Sequence, residues 1–485
     1  MEEENESIKW KAESRKFKIQ NSRFKIQDWK LNNFYNPRAL RFLLFALSFT
    51  LRFFKSMAEI KPLRAWRYNG HESIFVGRHI SPLFDVVSEK QRAALYQDPY
   101  NSIHLSVPAG PSPGLHASLT LSEWKRTGII KQDAVPGIYV YYQYFSLAGS
   151  SKWFCRKGFV CNIRIHDWRD RVILHHENTI PKAVNDRIEI LEKTQLNVSP
   201  THGLYSDEHF ELEKYMDEAI KNPVSSEEDY QGVRNIMAII NDIAVIQKFI
   251  DLLKNKTIIL ADGHHRYEGS LMHKQNQERL NPSHTGNEGY NFHMMYLTNM
   301  ESDDLKILPT HRLIRNITNF DEQRFIERLK EYFIVRSVDD TATLTDMIAG
   351  KPYSFGILLP SNKAFKIDLK IMMPGPGAKI KWPFPSEVKE LGITVLHYFI
   401  IEKSLGIPGK EQRQSENINY DRSFVDCMMK VDSGDAQLAI ITNGVSIEDI
   451  KRVCLTGYTM PQKSTYFYPK VICGFLFGSI DDREF

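Results

Sequence analysis

Cysteine is scarce and scattered, with five residues in 485 (Cys155, Cys161, Cys427, Cys454 and Cys473) and no Cys-x-x-Cys pair. An odd count at such spacing excludes a disulfide scaffold and a zinc ribbon, and leads us to expect reduced thiols and a cytoplasmic location. The apolar run FLLFALSFTL (42–51) stops at ten residues, about half of what a membrane helix requires, and lacks the features of a signal peptide. No glycine-rich loop precedes Lys463-Ser464-Thr465, so Walker-type hydrolysis is not supported. Charge of one sign is also missing. Residues 1–56 carry 12 Lys+Arg against 6 Asp+Glu, which leaves 51 against 53, or −2, for residues 57–485. A near-neutral body argues against a DNA binder that relies on phosphate neutralisation.

What is present is an ordinary globular composition, 42% hydrophobic and 25% charged, with alternating strand and helix signals that predict an α+β fold with mixed sheets. Residues 1–56 are expected to lie outside the fold, as an unstructured or membrane-surface extension or as sequence upstream of a true start at Met57. Residues 57–215 read as mainly β, with strands at 137–145 and 158–165. A loop is expected over 190–207 and an acidic helical surface over 206–230. Residues 216–318 hold the clearest local pattern. A strand (233–240) is followed by a helix capped at Asp242 (243–255), a short buried strand TIIL (257–260) and a second helix opened by Asp262-Gly263. Together they make a β-α-β-α unit. A strand at 292–298 and a loop PTHR (309–312) follow. Residues 319–485 read as a third, α+β region, with a helix over 388–406, a helix from Ser446 to Gly457 and a loop over 460–470.

The segment ADGHHRYE (261–268) concentrates chemistry. A buried strand, a glycine turn and a helix start place free backbone N–H groups and the positive end of a helix at one point, which suits an anion. His264, His265 and Arg266 add cationic or donor groups there, and Asp262 could hold Mg²⁺ or orient a histidine. The bland alternative is a capping Asp262 beside solvated histidines. His264 and Glu268 share a helical face, but no third ligand stands at a zinc spacing. HHENT (175–179) offers Glu177 as a base or metal ligand, with Lys182 and Arg187 as anion contacts, although a solvated charged hairpin fits equally well. PTHR and MPQKST (460–465) each place a cation beside hydroxyls, making Thr310, His311, Arg312, Lys463, Ser464 and Thr465 candidate phosphate donors. His397, within an apolar helix, reads as a core histidine.

RHISPLFDVVS (78–88), DPYNSIHL (98–105), HHENTIPKAVNDRIEIL (175–191), NVSPTHGLYSD (197–207), ADGHHRYEGSL (261–271), LPTHRLI (308–314) and MPQKSTYFYPK (460–470) together resemble the domain-of-unknown-function 1015 family, from about Met57 to Ile480. The run PLFDVVS departs from the expected Pro-Pro-Tyr-Asp-Val pattern, since Leu83 and Phe84 remove a proline and a phenol. The family is often labelled ParB-like. ADGHHRYE is similar to a box shared by ParB proteins, sulfiredoxins and an ADP-dependent serine kinase, in which a Gly-x-His-Arg turn binds nucleotide phosphates. The resemblance implies a ParB/sulfiredoxin-like β-α-β-α unit, phosphate binding by Gly263, His264, His265 and Arg266, and a link to serine metabolism.

The resulting expectation is a phosphoryl-transfer enzyme acting on a small phosphorylated metabolite, O-phosphoserine/serine first, as kinase or phosphatase. His264, His265, Glu177 and Asp262 would be catalytic, and Glu177 or Asp262 would hold Mg²⁺. Gly263, His264, Arg266, His311, Arg312, Lys463, Ser464 and Thr465 would bind phosphate, with ADP or ATP as the nucleotide. Rival readings are a ParB-like nucleotide-binding regulator and a metal-dependent hydrolase using His175, His176, Glu177 and His264.

Overall fold

The short run TIIL forms strand Ile258–Asp262, buried at every position. Its side chains alternate between two cores, Ile258 and Leu260 in one cluster and Ile259 and Ala261 in another. A strand covered on both faces must be apolar throughout, because each successive side chain meets a different dry layer. The computed structural model describes residues 58–371 and 375–485, so the expectations for residues 1–56 lie outside the described residues.

The architecture is mixed α+β. The main sheet has nine strands, in which Ile258–Asp262 lies between Ile173–His175, parallel to it, and Thr201–Tyr205, antiparallel. Helices Ile243–Leu253 and His264–Leu280 send Phe249, Leu253, Tyr267 and Leu271 into the core that also holds Phe159 and Ile163 of strand Trp153–Arg164. The Asp242 cap forms as expected, its Oδ1 accepting from the N–H groups of Ala244 and Val245 at 2.8 and 3.1 Å. A six-stranded sheet follows, in the order Phe333–Val338, Lys363–Leu369, Ser354–Leu359, Leu438–Ile441, His311–Ile314, Ile418–Asp421. One core cluster joins the two sheets, since Leu174, Leu204 and Ile259 pack with Leu396, Ile400 and Ile440.

Several elements differ from expectation. The β-α-β-α unit is not local: Thr201–Tyr205, Phe292–Asn299, Trp153–Arg164 and Ile138–Ser146 lie between strands Arg234–Ile240 and Ile258–Asp262 in the sheet. Helix Ile243–Leu253 is therefore a long crossover. The same pairing brings strands from the regions 57–215 and 216–318 into one sheet. The loop expected over 190–207 contains the end of helix Pro181–Thr194 and the wholly buried strand Thr201–Tyr205. Its Ser, Pro and Gly content signalled a turn, but neighbouring strands satisfy the backbone instead. PTHR likewise runs into strand His311–Ile314. The acidic stretch yields only helix Glu213–Ala219 before strand Ser225–Glu228. The apolar helix over 388–406 breaks into Ser386–Lys389, Gly392–Val395 and a π-helical Leu396–Ser404. Among the described residues no helix is long and apolar enough to cross a membrane.

Candidate functional site

The chain turns from strand Ile258–Asp262 into helix His264–Leu280 through Gly263, whose φ of 89° is left-handed. A Cβ there would stand 2.6 Å from Thr201 Cγ2 and 2.9 Å from Arg266 Nη2, so both conformation and space demand glycine. No side chain caps this helix. Its first turn opens instead on a cavity of about 330 Å³ lined by Gly263, His264 and His265. Uncapped first-turn amides and the positive helix end favour an anion there.

Distant segments complete the walls. Lys463, exposed and at φ 54°, comes from the 460–465 loop with Thr465, while Lys470 follows strand Tyr466–Tyr468. Arg422 lies with its guanidinium 3.6 Å from the ring centre of Tyr466. Glu177 and Asp85 bring carboxylates, and Thr310 a hydroxyl. Strand pairing explains the meeting, since Tyr466–Tyr468 pairs with Lys306–Leu308 just before Thr310.

Asp262 is the anchor. Lys470 Nζ donates to its Oδ1 and Arg266 Nη2 to its Oδ2 at 3.1 Å. Burial alone would raise the carboxyl pKa, but the two cations outweigh it and hold it well below the usual range. Asp262, expected as a base or Mg²⁺ ligand, thus has both oxygens taken by cations. Glu177 and Asp85 line the cavity and carry no ion pair among the described residues, so they are the carboxylates there that could hold a cation.

The histidines are neutral rather than cationic, because burial removes the solvation a charged ring needs. It pushes His264 and His176 down to about 3 and lowers His265. The ring of His264 packs edge-on against His176, centres 4.9 Å apart, and His176 Nε2 lies 2.8 Å from Thr465 Oγ1. His265 Nε2 accepts from the Ile180 N–H at 3.0 Å, which places its proton on Nδ1. His264 Nε2 is buried without a hydrogen-bond partner, a costly state that a bound ligand would relieve.

The cavity therefore gathers Glu177, Asp262, Gly263, His264, His265, Thr310, Lys463 and Thr465 from four separate motifs. Other expected residues point elsewhere. Arg266 Nη1 donates to Ser199 Oγ at 2.9 Å and to the Pro200 carbonyl at 2.6 Å, so its fork is spent on the protein. Arg312, wholly buried, donates to the carbonyls of Thr310, Gln462 and Lys463 and to His397 Nε2, and burial lowers its pKa to about 10. It holds the loop that presents Lys463. His311 Nδ1 accepts from the Thr442 N–H at 3.3 Å, and Ser464 Oγ donates to the Pro461 carbonyl. Arg187 pairs with Asp186 and donates to the Ser106 carbonyl, while Lys182 is exposed. Glu268 accepts from Trp168 Nε1 at 2.6 Å rather than joining His264. His397 is a satisfied core histidine: it accepts from Arg312 at Nε2, which leaves Nδ1–H to donate to Gln412 Oε1 at 2.8 Å. Among the described residues no group of three or more His, Cys, Asp or Glu is arranged to hold a metal ion.

Sequence reasoning missed Lys470, Asp85, Arg422, Tyr420 and Tyr466 as cavity residues. Lys470 and Tyr466 stand in MPQKSTYFYPK and Asp85 in RHISPLFDVVS, so those segments carried a signal. Arg422 and Tyr420 had none.

Among solved structures the chain is similar to a conserved hypothetical protein from Pyrococcus furiosus (14% identity, covering 64% of this chain and 92% of that one, TM-score 0.32). It is also similar to a free serine kinase in complex with AMP (13% identity, 67% and 88%, TM-score 0.32) and to a C-terminally truncated SbnI from Staphylococcus aureus (9% identity, 66% and 87%, TM-score 0.31). No curated protein matches. The segments that build the cavity around the helix start at Gly263 fall mostly within residues 60–391, which match the model described as "Protein of unknown function (DUF1015)", and the chain belongs to that family.

Proposed function

We propose that the cavity is a phosphoryl-transfer site for a small phosphorylated metabolite, with O-phosphoserine and serine as the pair to test and ADP or ATP as partner nucleotide. The observation that carries this reading is the uncapped start of helix His264–Leu280 facing Lys463 and Arg422 across one cavity that also holds Glu177 and Asp85. Moving a phosphoryl group chiefly requires positioning and charge neutralisation. In this reading the amides of His264 and His265 and the Lys463 ammonium cradle phosphate oxygens, and His264 donates from its unpartnered nitrogen. Glu177 accepts the proton of the attacking hydroxyl or water, or with Asp85 holds a Mg²⁺ ion that would neutralise phosphate charge. Asp262 keeps Lys470 and Arg266 in place. The likeness of the Gly263–Arg266 turn to the ParB/sulfiredoxin box belongs to the same proposal, and the choice of serine rests on that likeness alone. Against the metal-dependent hydrolase alternative, His176 Nε2 is engaged with Thr465, and no metal-holding group of three is found among the described residues.

Phosphorus NMR of the full chain with O-phosphoserine and Mg²⁺, with and without ADP, tests the proposal. Inorganic phosphate without ADP makes it a phosphatase, and ATP formed only with ADP makes it a reversible kinase. No turnover in either tube overturns the proposal for this substrate pair.

A further inference from the structure

Three buried polar side chains stand in one row across the main sheet. Gln143 lies directly opposite Arg156 of strand Trp153–Arg164 on one side and Asn235 of strand Arg234–Ile240 on the other. Gln143, Arg156 and Asn235 are 0%, 2% and 1% exposed. Arg156 Nη2 donates to Gln143 Oε1, Gln143 Nε2 to Asn235 Oδ1 at 3.0 Å, and Asn235 Nδ2 to Asp229 Oδ2 at 3.1 Å. The carboxylate thus stands at the far end of an amide relay, and Arg156 makes no ion pair of its own among the described residues. Its Nε and Nη1 have no hydrogen-bond partner. A guanidinium in a dry layer is costly, and an apolar side chain of similar size would pack there about as well. Fold stability therefore does not account for Arg156.

Two further bonds from the row show what it holds. Arg156 Nη2 donates to the Pro469 carbonyl, and Gln143 Nε2 donates to the Lys470 carbonyl at 3.1 Å. These carbonyls flank the Lys470 Cα on either side. The strand ladder that anchors this segment, Tyr466–Tyr468 on Lys306–Leu308, ends before Lys470, so side chains take over where backbone pairing stops. From that backbone the Lys470 side chain lines the cavity and donates to Asp262 Oδ1. We propose that Arg156 and Gln143 are positioning residues of the candidate site, which fix the Pro469–Lys470 backbone so that the Lys470 ammonium meets Asp262 and the ligand. The inference rests on the cavity being the ligand site, and not on the identity of the substrate.

The first test needs no ligand. Urea midpoints of Lys470→Met, Asp262→Asn and the double variant give the coupling between the two residues, measured in the full chain with Arg156 and again with Arg156→Met. The coupling is expected to fall to roughly half or less with Arg156→Met, because a loosened backbone lets the ammonium drift from the carboxylate. Equal coupling in both backgrounds overturns the proposal. Arg156→Lys keeps the charge without the fork and is expected to lie between. It carries the same comparison if Arg156→Met does not fold. The second test is calorimetric binding of O-phosphoserine. Arg156→Met and Lys470→Met are each expected to weaken it about tenfold, and the double variant to bind no worse than Lys470→Met alone, since Arg156 acts through Lys470. A purely structural role would not produce that saturation. Losses that multiply, or a loss in Lys470→Met alone, overturn the positioning role and leave the cavity as the ligand site. Binding unchanged in both single variants overturns the cavity reading and this inference together.

Discussion

Lys470 Nζ donates to Asp262 Oδ1 across 208 residues of sequence, and Arg266 takes the other oxygen of the same carboxylate. One acid thus ties the helix start, the C-terminal loop and the strand beneath them. Lys470→Met leaves Asp262 with Arg266 alone in a dry setting, and a cost of about 2–4 kcal/mol is expected, read as a lower urea midpoint. Asp262→Asn combined with Lys470→Met should cost less than the two single changes summed, because they remove one shared interaction. Strict additivity would show that the pair contributes nothing.

Stability is expected to fall on acidification well before carboxylates titrate. His176, His264, His293 and His397 all sit near a pKa of about 3, pushed down by burial from 6.5. Between those values the unfolded chain binds the extra protons. The stability these rings contribute is therefore complete above about pH 6.5 and is lost as pH falls towards 3. Each ring contributes a slope of up to about 1.4 kcal/mol per pH unit in that window. Asp262 adds a loss of the same sign only below its unfolded value near 4. Urea midpoints at pH 7.5 and 5.5 check this, and equal midpoints would contradict it.

Lys463 separates binding from folding. It is exposed and its ammonium has no hydrogen-bond or ion-pair partner among the described residues, so Lys463→Ala should change stability by less than about 0.5 kcal/mol. Affinity for a phosphorylated ligand should drop roughly tenfold, as expected for one lost charge-assisted contact. Titration calorimetry with O-phosphoserine or ADP measures it, and unchanged affinity would remove Lys463 from the site.

Arg312 should act on the same ligand at a distance. Arg312→Met frees the Gln462 and Lys463 carbonyls and leaves His397 Nε2 without its donor. A loss of about 1–3 kcal/mol is expected, together with faster amide exchange over 460–465 and weaker ligand binding. Slow exchange retained in that loop would show that other contacts hold it.

Gly263→Ala meets Thr201 at once and forces a left-handed residue with a Cβ. It should cost roughly 1–3 kcal/mol and abolish ligand binding through displacement of the first helical turn. A variant that binds normally would show that the turn tolerates movement.

The local pieces were legible in the sequence: the buried strand before Asp262, the glycine turn, the Asp242 cap, and the concentration of donors at His264 and His265. These depend on residues a few positions apart, where periodicity and turn chemistry act directly. Tertiary structure decided what those donors face. It brought Lys470, Asp85 and Arg422 to the cavity, and it turned Arg266 and Arg312 away to hold Asp262 and the 460–465 loop. Residue type announces a charge, but burial decides whether that charge must be spent inside the protein, and burial is set by sheet neighbours such as Thr201–Tyr205 and Ile258–Asp262 that lie far apart in the chain.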